Sequence, residues 1–214
     1  MLNNDTPLKL RASIVILVAF YVSGIIGILS KNQTIDFLSL TPLNLLVNAT
    51  LLFANHRNAT YKHAFVFLIV AIVGYFIEVL GVTTGLIFGH YEYKTTLGFK
   101  FFETPLIIGV NWMLLTCSVV FSIESKIKSK LGVALASACI LVALDILIEP
   151  VAMQYHFWNW KDAVVPLKNY VAWFVISFIL CFTVTHFKGN SKNDLAPYLL
   201  ILQFIFFGIF NFFL

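Results

Sequence analysis

Seven apolar runs divide the chain: Ala12–Leu29, Phe37–Ala54, Ala64–Phe88, Phe101–Phe121, Leu131–Ile148, Val164–Phe187 and Leu195–Leu214. Each approaches the ~20 residues that a helix needs to cross ~30 Å of hydrocarbon. Lipid offers no partners to backbone N–H and C=O groups, so spans of this kind are helices. The pattern predicts an all-α fold, a polytopic membrane helix bundle of about seven transmembrane helices. No connection is long enough to separate domains, and no internal repeat is visible, so residues 1–214 are expected to form a single domain. The second run is the weakest. Ser39, Thr41, Pro42, Asn44, Asn48 and Thr50 interrupt it, which predicts a segment covered by protein or partly re-entrant.

Composition agrees with the pattern. The 214 residues are 60% hydrophobic and 11% charged, which excludes an ordinary soluble domain. The net charge of +4 comes from lysines and arginines in short connections. These read as topology signals, not as a nucleic-acid patch. Lys9, Arg11, Arg57, Lys62, Lys126, Lys128, Lys130, Lys188 and Lys192 fall on one side. Lys31, Lys94, Lys100, Lys161 and Lys168 fall on the other. The excess predicts a multi-pass protein of the cell (inner) membrane with a cytoplasmic N-terminus and its C-terminus on the far side. The first run is too long for a signal-peptide core and reads as an uncleaved span. Cys117, Cys139 and Cys181 lie in three different runs with no CxxC, and read as small buried apolar residues.

Against this background four carboxylates stand out: Glu78, Glu103, Asp145 and Glu149. An acid inside a membrane span is expensive and points to function. Counting from the ends of their runs, Glu78 and Asp145 lie at one depth, about 22 Å in at 1.5 Å per residue. Asn111 and Trp112, with Asn169 and Trp173, come from the opposite direction to the same half of the bilayer. Asp145 and Glu149 share a helix face, as do Asn169 and Trp173. Gly74, Glu78, Gly81 and Gly85 form a stripe that is small except for its acid, and Pro105, Gly109, Trp112 and Thr116 form another. Such stripes more often serve helix packing than ligand contact. Glu103 and Glu149 lie near the interface, where an acid costs little. Trp158 and Trp160 are at the depth of an interfacial aromatic belt, which would explain them without further function. Glu78 and Asp145 resist such an account, because nothing basic lies at their depth. A carboxyl so placed is expected to stay neutral, and a neutral buried carboxyl can act as a general acid.

Other chemistries find no support in the residues. No span has a lysine at its centre, which a retinal Schiff base requires. His56, His63, His90, His156 and His186 form no HxxH or HxxxH pair, and only a weakly supported carboxylate-rich site around His90 or His156 remains for a metal. There is no GxGxxG, GxxxxGK[ST] or GxSxG. No cofactor and no metal is implied.

Several stretches together resemble the carotenoid biosynthesis protein family of integral membrane proteins, the group containing the carotenoid 1,2-hydratases of bisanhydrobacterioruberin hydratase type. They are Glu78-Val-Leu-Gly81-Val-Thr-Thr-Gly85 with Phe88-Gly89-His90-Tyr91-Glu92-Tyr93 and Leu97-Gly98, and Pro105-Leu-Ile-Ile-Gly109-Val-Asn111-Trp112. Asp145-Ile-Leu-Ile-Glu149-Pro150-Val151-Ala152 with Phe157-Trp158-Asn159-Trp160, and Pro166-Leu167-Lys168-Asn169-Tyr170 with Trp173, complete the set. The resemblance runs from about Ala71 to Trp173. One departure is that Gly109-Val110-Asn111 stands where a Gly-Val-Pro-like turn is expected. The resemblance implies cofactor-independent hydration of the terminal 1,2 double bond of an acyclic, lycopene-like carotenoid, with water as co-substrate and the lipid bilayer as environment. Protonation at C2 would leave a tertiary cation at C1, which water captures. On that reading Asp145 or Glu78 is the acid and Glu149 orients the water. Tyr91, Trp112 and Trp173 bind the substrate and stabilise the cation, and Asn111 and Asn169, also substrate-binding, help to orient the water. The alternatives are a membrane carotenoid cyclase, in which a double bond traps the same cation, and a proton-coupled transporter or lipid-binding membrane protein.

Overall fold

The computed structural model describes residues 7–30 and 36–213; Lys31 and Leu214 lie outside them. Seven helices follow one another: α1 (Leu8–Leu29), α2 (Thr41–Ala54), α3 (Tyr61–Thr84), α4 (Ile107–Ile123), α5 (Lys130–Gln154), α6 (Leu167–Phe187) and α7 (Ala196–Phe213). The protein is an all-α membrane helix bundle. Five helices are long and apolar enough to cross a bilayer, whereas α2 and α4 are shorter. α4 is apolar on all sides and buried on nearly all of them, as expected of a helix at the centre of a bundle. It packs against α2, α3, α5, α6 and α7.

Short antiparallel ribbons close the two ends of the bundle. At one end β1 (His56–Arg57) pairs with β6 (Lys192–Asn193), and Asn193 Nδ2 donates to the Leu52 carbonyl at 2.7 Å. At the other, β2 (Tyr91–Tyr93) pairs with β5 (Trp158–Trp160), while β3 (Lys100–Phe101) and β4 (Thr104–Pro105) form a hairpin before α4. The Tyr75 hydroxyl donates to the Phe101 carbonyl at 2.6 Å and ties that hairpin to α3.

Helix boundaries differ from the sequence expectation where local chemistry intervenes. α3 stops at Thr84, because Gly85 adopts φ 64° and caps it in the left-handed region. The fourth apolar run spends its first residues on the β3–β4 hairpin, so Pro105 belongs to β4 and not to the helical stripe. Glu103 sits at the hairpin tip, exposed and with φ 57°. Glu149-Pro150-Val151-Ala152, beyond the end of the fifth apolar run, is helical: α5 runs on to Gln154 with Pro150 inside it.

The glycine stripes are packing devices. A Cβ on Gly109 would lie 2.6 Å from the Ala71 carbonyl oxygen, so α3 and α4 approach backbone to backbone there. A Cβ on Gly74 would lie 2.5 Å from Trp112 Cβ. Gly74 therefore lets the Trp112 side chain lie across α3, where it reaches the acid one turn further on.

Candidate active site

Glu78, Asp145 and Glu149 gather at the end of the bundle closed by β2 and β5. They are 4%, 0% and 2% exposed, and none is ion-paired with a described residue. Polar neutral groups hold them. Glu78 Oε2 accepts hydrogen bonds from the hydroxyls of Tyr91 (2.5 Å) and Tyr93 (2.8 Å), and its Oε1 accepts from Trp112 Nε1 (2.9 Å). Glu149 Oε2 accepts from Trp158 Nε1 (2.9 Å) and Trp160 Nε1 (2.6 Å). Asn169 Nδ2 bridges to Glu149 Oε1 (3.2 Å) and Asp145 Oδ2 (2.9 Å). Asp145 Oδ1 is buried without a partner among the described residues.

The ribbon makes this possible. Side chains alternate across a strand, so Tyr91 and Tyr93 point to one face while Glu92 points to the other. Trp158 and Trp160 do likewise across the ladder, with Tyr91 opposite Trp160 and Tyr93 opposite Trp158. Four aromatic side chains thus descend on the acids. Their rings also pack on each other, Tyr91 on Trp160 at 4.9 Å and Tyr93 edge-on to Trp158 at 5.8 Å. On the outer face Glu92 is exposed and paired with Lys94, which holds its carboxyl below the usual range. Burial, then the nearby Glu78 carboxyl, push the Tyr91 and Tyr93 hydroxyls well above the ordinary phenol range, so both stay protonated as donors.

The acids enclose a cavity of about 30 Å³ lined by Glu78, Glu149, Asn111, Asn169, the four aromatics of the ribbon, Phe88, Ile108, Ile148, Trp112 and Trp173. A water needs ~10–15 Å³ of such space, so the cavity has room for one or two. Trp112 and Trp173 stack beside it with centroids 4.4 Å apart and planes at 28°.

The structure brings the site residues expected from the sequence together at this end of the bundle, with these differences of placement. Asp145 is outside the wall of this cavity; it sits behind Glu149, sharing Asn169. Trp158 and Trp160, explicable as belt residues, instead donate to Glu149. Tyr93 had no individual role and proves to be the second hydroxyl on Glu78. The signal that would have found Tyr93, Trp158 and Trp160 is the i, i+2 spacing of Tyr91-x-Tyr93 and Trp158-x-Trp160, which puts each pair on one face of a strand. His90 and His156 do not join the acids in a group of metal ligands among the described residues.

The sequence model of a protein family described as "carotenoid biosynthesis protein" matches residues 40–214, which include every residue of this site. No curated protein and no solved structure matches the chain.

Proposed function

The chain belongs to the carotenoid biosynthesis protein family, and from that premise we propose that it hydrates the terminal 1,2 double bond of an acyclic carotenoid end group. One observation carries this reading: two carboxyls with different donor sets, one of N–H groups alone and one that includes two hydroxyls, face one water-sized cavity. Glu149 receives only N–H donors. N–H groups cannot accept in return, so they favour the carboxylate. Glu78 receives two hydroxyls and one indole N–H. A hydroxyl can also accept, so this set accommodates a carboxylic acid as well as a carboxylate. Glu78 is therefore the proton donor and Glu149 the anion that orients water.

In the proposed sequence the Glu78 carboxyl proton adds to C2, and the π electrons form the new C–H bond. The tertiary cation left at C1 lies against the Trp112–Trp173 pair, whose ring faces attract positive charge, and within the field of Glu149. A cavity water forms the C1–O bond and gives a proton to Glu149. That proton returns to Glu78 through cavity water, so the net change is addition of one water. Asp145 acts through Asn169 as a positioning residue. Asn111, which stands in the cavity wall, helps to hold the water.

The test is expression in a lycopene-producing host, with the protein verified in the membrane fraction and the pigments separated by chromatography and mass. The expected product is one water heavier than its precursor, and Glu78→Gln abolishes it. A new pigment of unchanged mass would instead identify a cyclase. Full activity of Glu78→Gln would overturn the assignment of the acid.

A further inference from the structure

A larger cavity of about 190 Å³ lies beside the acid pocket, between α1, α2, α4, α5 and α7. Ile108, Asn111, Ile148 and Trp158 stand in the walls of both, so single side chains separate the two spaces. Leu40 and Leu43 in its lining are exposed on the outer surface of the bundle, which gives access from lipid. An apolar cavity of ~150 Å³ takes a six-carbon ring, so a stretch of isoprenoid chain fits here.

The lining is apolar with a few exceptions, and three of them are unusual. Asn44 and Asn48 on α2 and Gln203 on α7 face the cavity. The side-chain carbonyl oxygen of each is buried and accepts no hydrogen bond from the described residues. Asn48 is 1% and Gln203 4% exposed. Asn48 Nδ2 reaches only the Tyr21 hydroxyl, at 3.4 Å. Buried polar groups are rarely left unpaired, and one that is calls for a missing partner. Water alone does not suit the whole space, since each molecule needs two to four polar partners and most of the wall offers none. A chain that is apolar along its length and carries one hydroxyl suits both parts. The hydroxyl can donate to an amide carbonyl and accept from an amide N–H.

We propose that this cavity binds a hydroxyl-bearing isoprenoid chain, with Asn44, Asn48 and Gln203 reading the hydroxyl; the reading above is needed only for the isoprenoid character of the ligand. The hydroxyl belongs either to the tertiary alcohol that hydration forms or to a substrate already hydroxylated elsewhere.

Equilibrium binding to the purified full chain, in micelles of one fixed composition and measured by mass spectrometry of retained ligand, tests this. The probes are geranyllinalool (a tertiary alcohol), geranylgeraniol (a primary alcohol) and their parent hydrocarbon. The expected result is about tenfold tighter binding of at least one alcohol than of the hydrocarbon, as one good hydrogen bond provides. Preference for the tertiary alcohol assigns the site to the product; equal binding of both alcohols assigns it to a hydroxylated substrate. Asn48→Leu and Gln203→Leu, and the milder Asn44→Leu at a less buried position, should each reduce the preference while hydrocarbon binding persists. Gly24→Leu, which fills the cavity from α1, should weaken all three probes. Equal binding of alcohols and hydrocarbon by the wild-type protein, or an undiminished preference in the leucine variants, overturns the proposal. The readout needs no turnover, so failure of the protein to hydrate a carotenoid would leave it unaffected.

Discussion

The donor sets around two glutamates, and not the mere presence of acids, give this site its direction. Trp160→Phe keeps most of the ring and removes one N–H from Glu149. If the protein hydrates as proposed, this substitution should lower the rate about 10- to 100-fold, the cost of one lost bond to a charged group, with little change in melting temperature; pigment conversion and thermal unfolding of the same preparation check both. Glu103→Gln, at an exposed hairpin tip, should leave conversion unchanged. At this scale the sequence was legible where cost is local. Glu78 and Asp145 declare themselves, because no membrane helix carries an unpaired acid cheaply. Trp158, Trp160 and Tyr93 did not, because an aromatic at the membrane interface is explained equally well by the interface. Only the ladder between two strands far apart in sequence shows which way those rings point.

Among the elements, α3 and α4 depend on glycine for their spacing. Gly109→Ala would set a methyl group 2.6 Å from the Ala71 backbone oxygen, an atom with no rotamer through which to retreat. Thermal unfolding should show a loss of stability, on the order of the 1–3 kcal/mol typical of overpacking. Gly74→Ala meets the Trp112 side chain instead. Its nearest contact, Trp112 Cβ at 2.5 Å, moves only with the α4 backbone, so melting temperature should fall as it does for Gly109→Ala, and displacing Trp112 should loosen its bond to Glu78 and lower conversion as well. The apolar runs located all seven helices, but their ends were less legible. A proline commonly ends a helix, yet Pro150 lies inside α5, four residues before Gln154; it forfeits its own N–H bond to the Ile146 carbonyl and the helix runs on. The continuation keeps Asp145 and Glu149 one turn apart on one face, within reach of Asn169. The β3–β4 hairpin was hidden for a different reason: Phe101 and Phe102 read as the start of the apolar run that follows, and the turn at Phe102 and Glu103 keeps them out of the helix.

Across the whole molecule the two ends are chemically distinct. Away from the acids, His56 in the α2–α3 connection is buried against His63, Phe67 and Phe121. Burial, with a smaller contribution from His63, pushes its imidazole from 6.5 down to about 4. Between those values the unfolded chain binds a proton that the folded protein refuses. Stability is therefore full above about pH 6.5 and is lost progressively as pH falls toward 4. Thermal unfolding across that window should show the slope, and His56→Phe should flatten it. The fold class and the membrane setting were readable from composition and run length, since hydrocarbon admits few other solutions. The gathering of ribbon, acids and cavity at one end was readable only in part, because depth along a helix can be counted while the facing of one helix toward another cannot.

All four tryptophans of the chain stand in the wall of the acid pocket. The indole emission of this protein is thus the emission of its site, undiluted by any reporter elsewhere. A polyene docking against those rings should quench it almost completely by energy transfer, so ligand occupancy can be followed optically without a label.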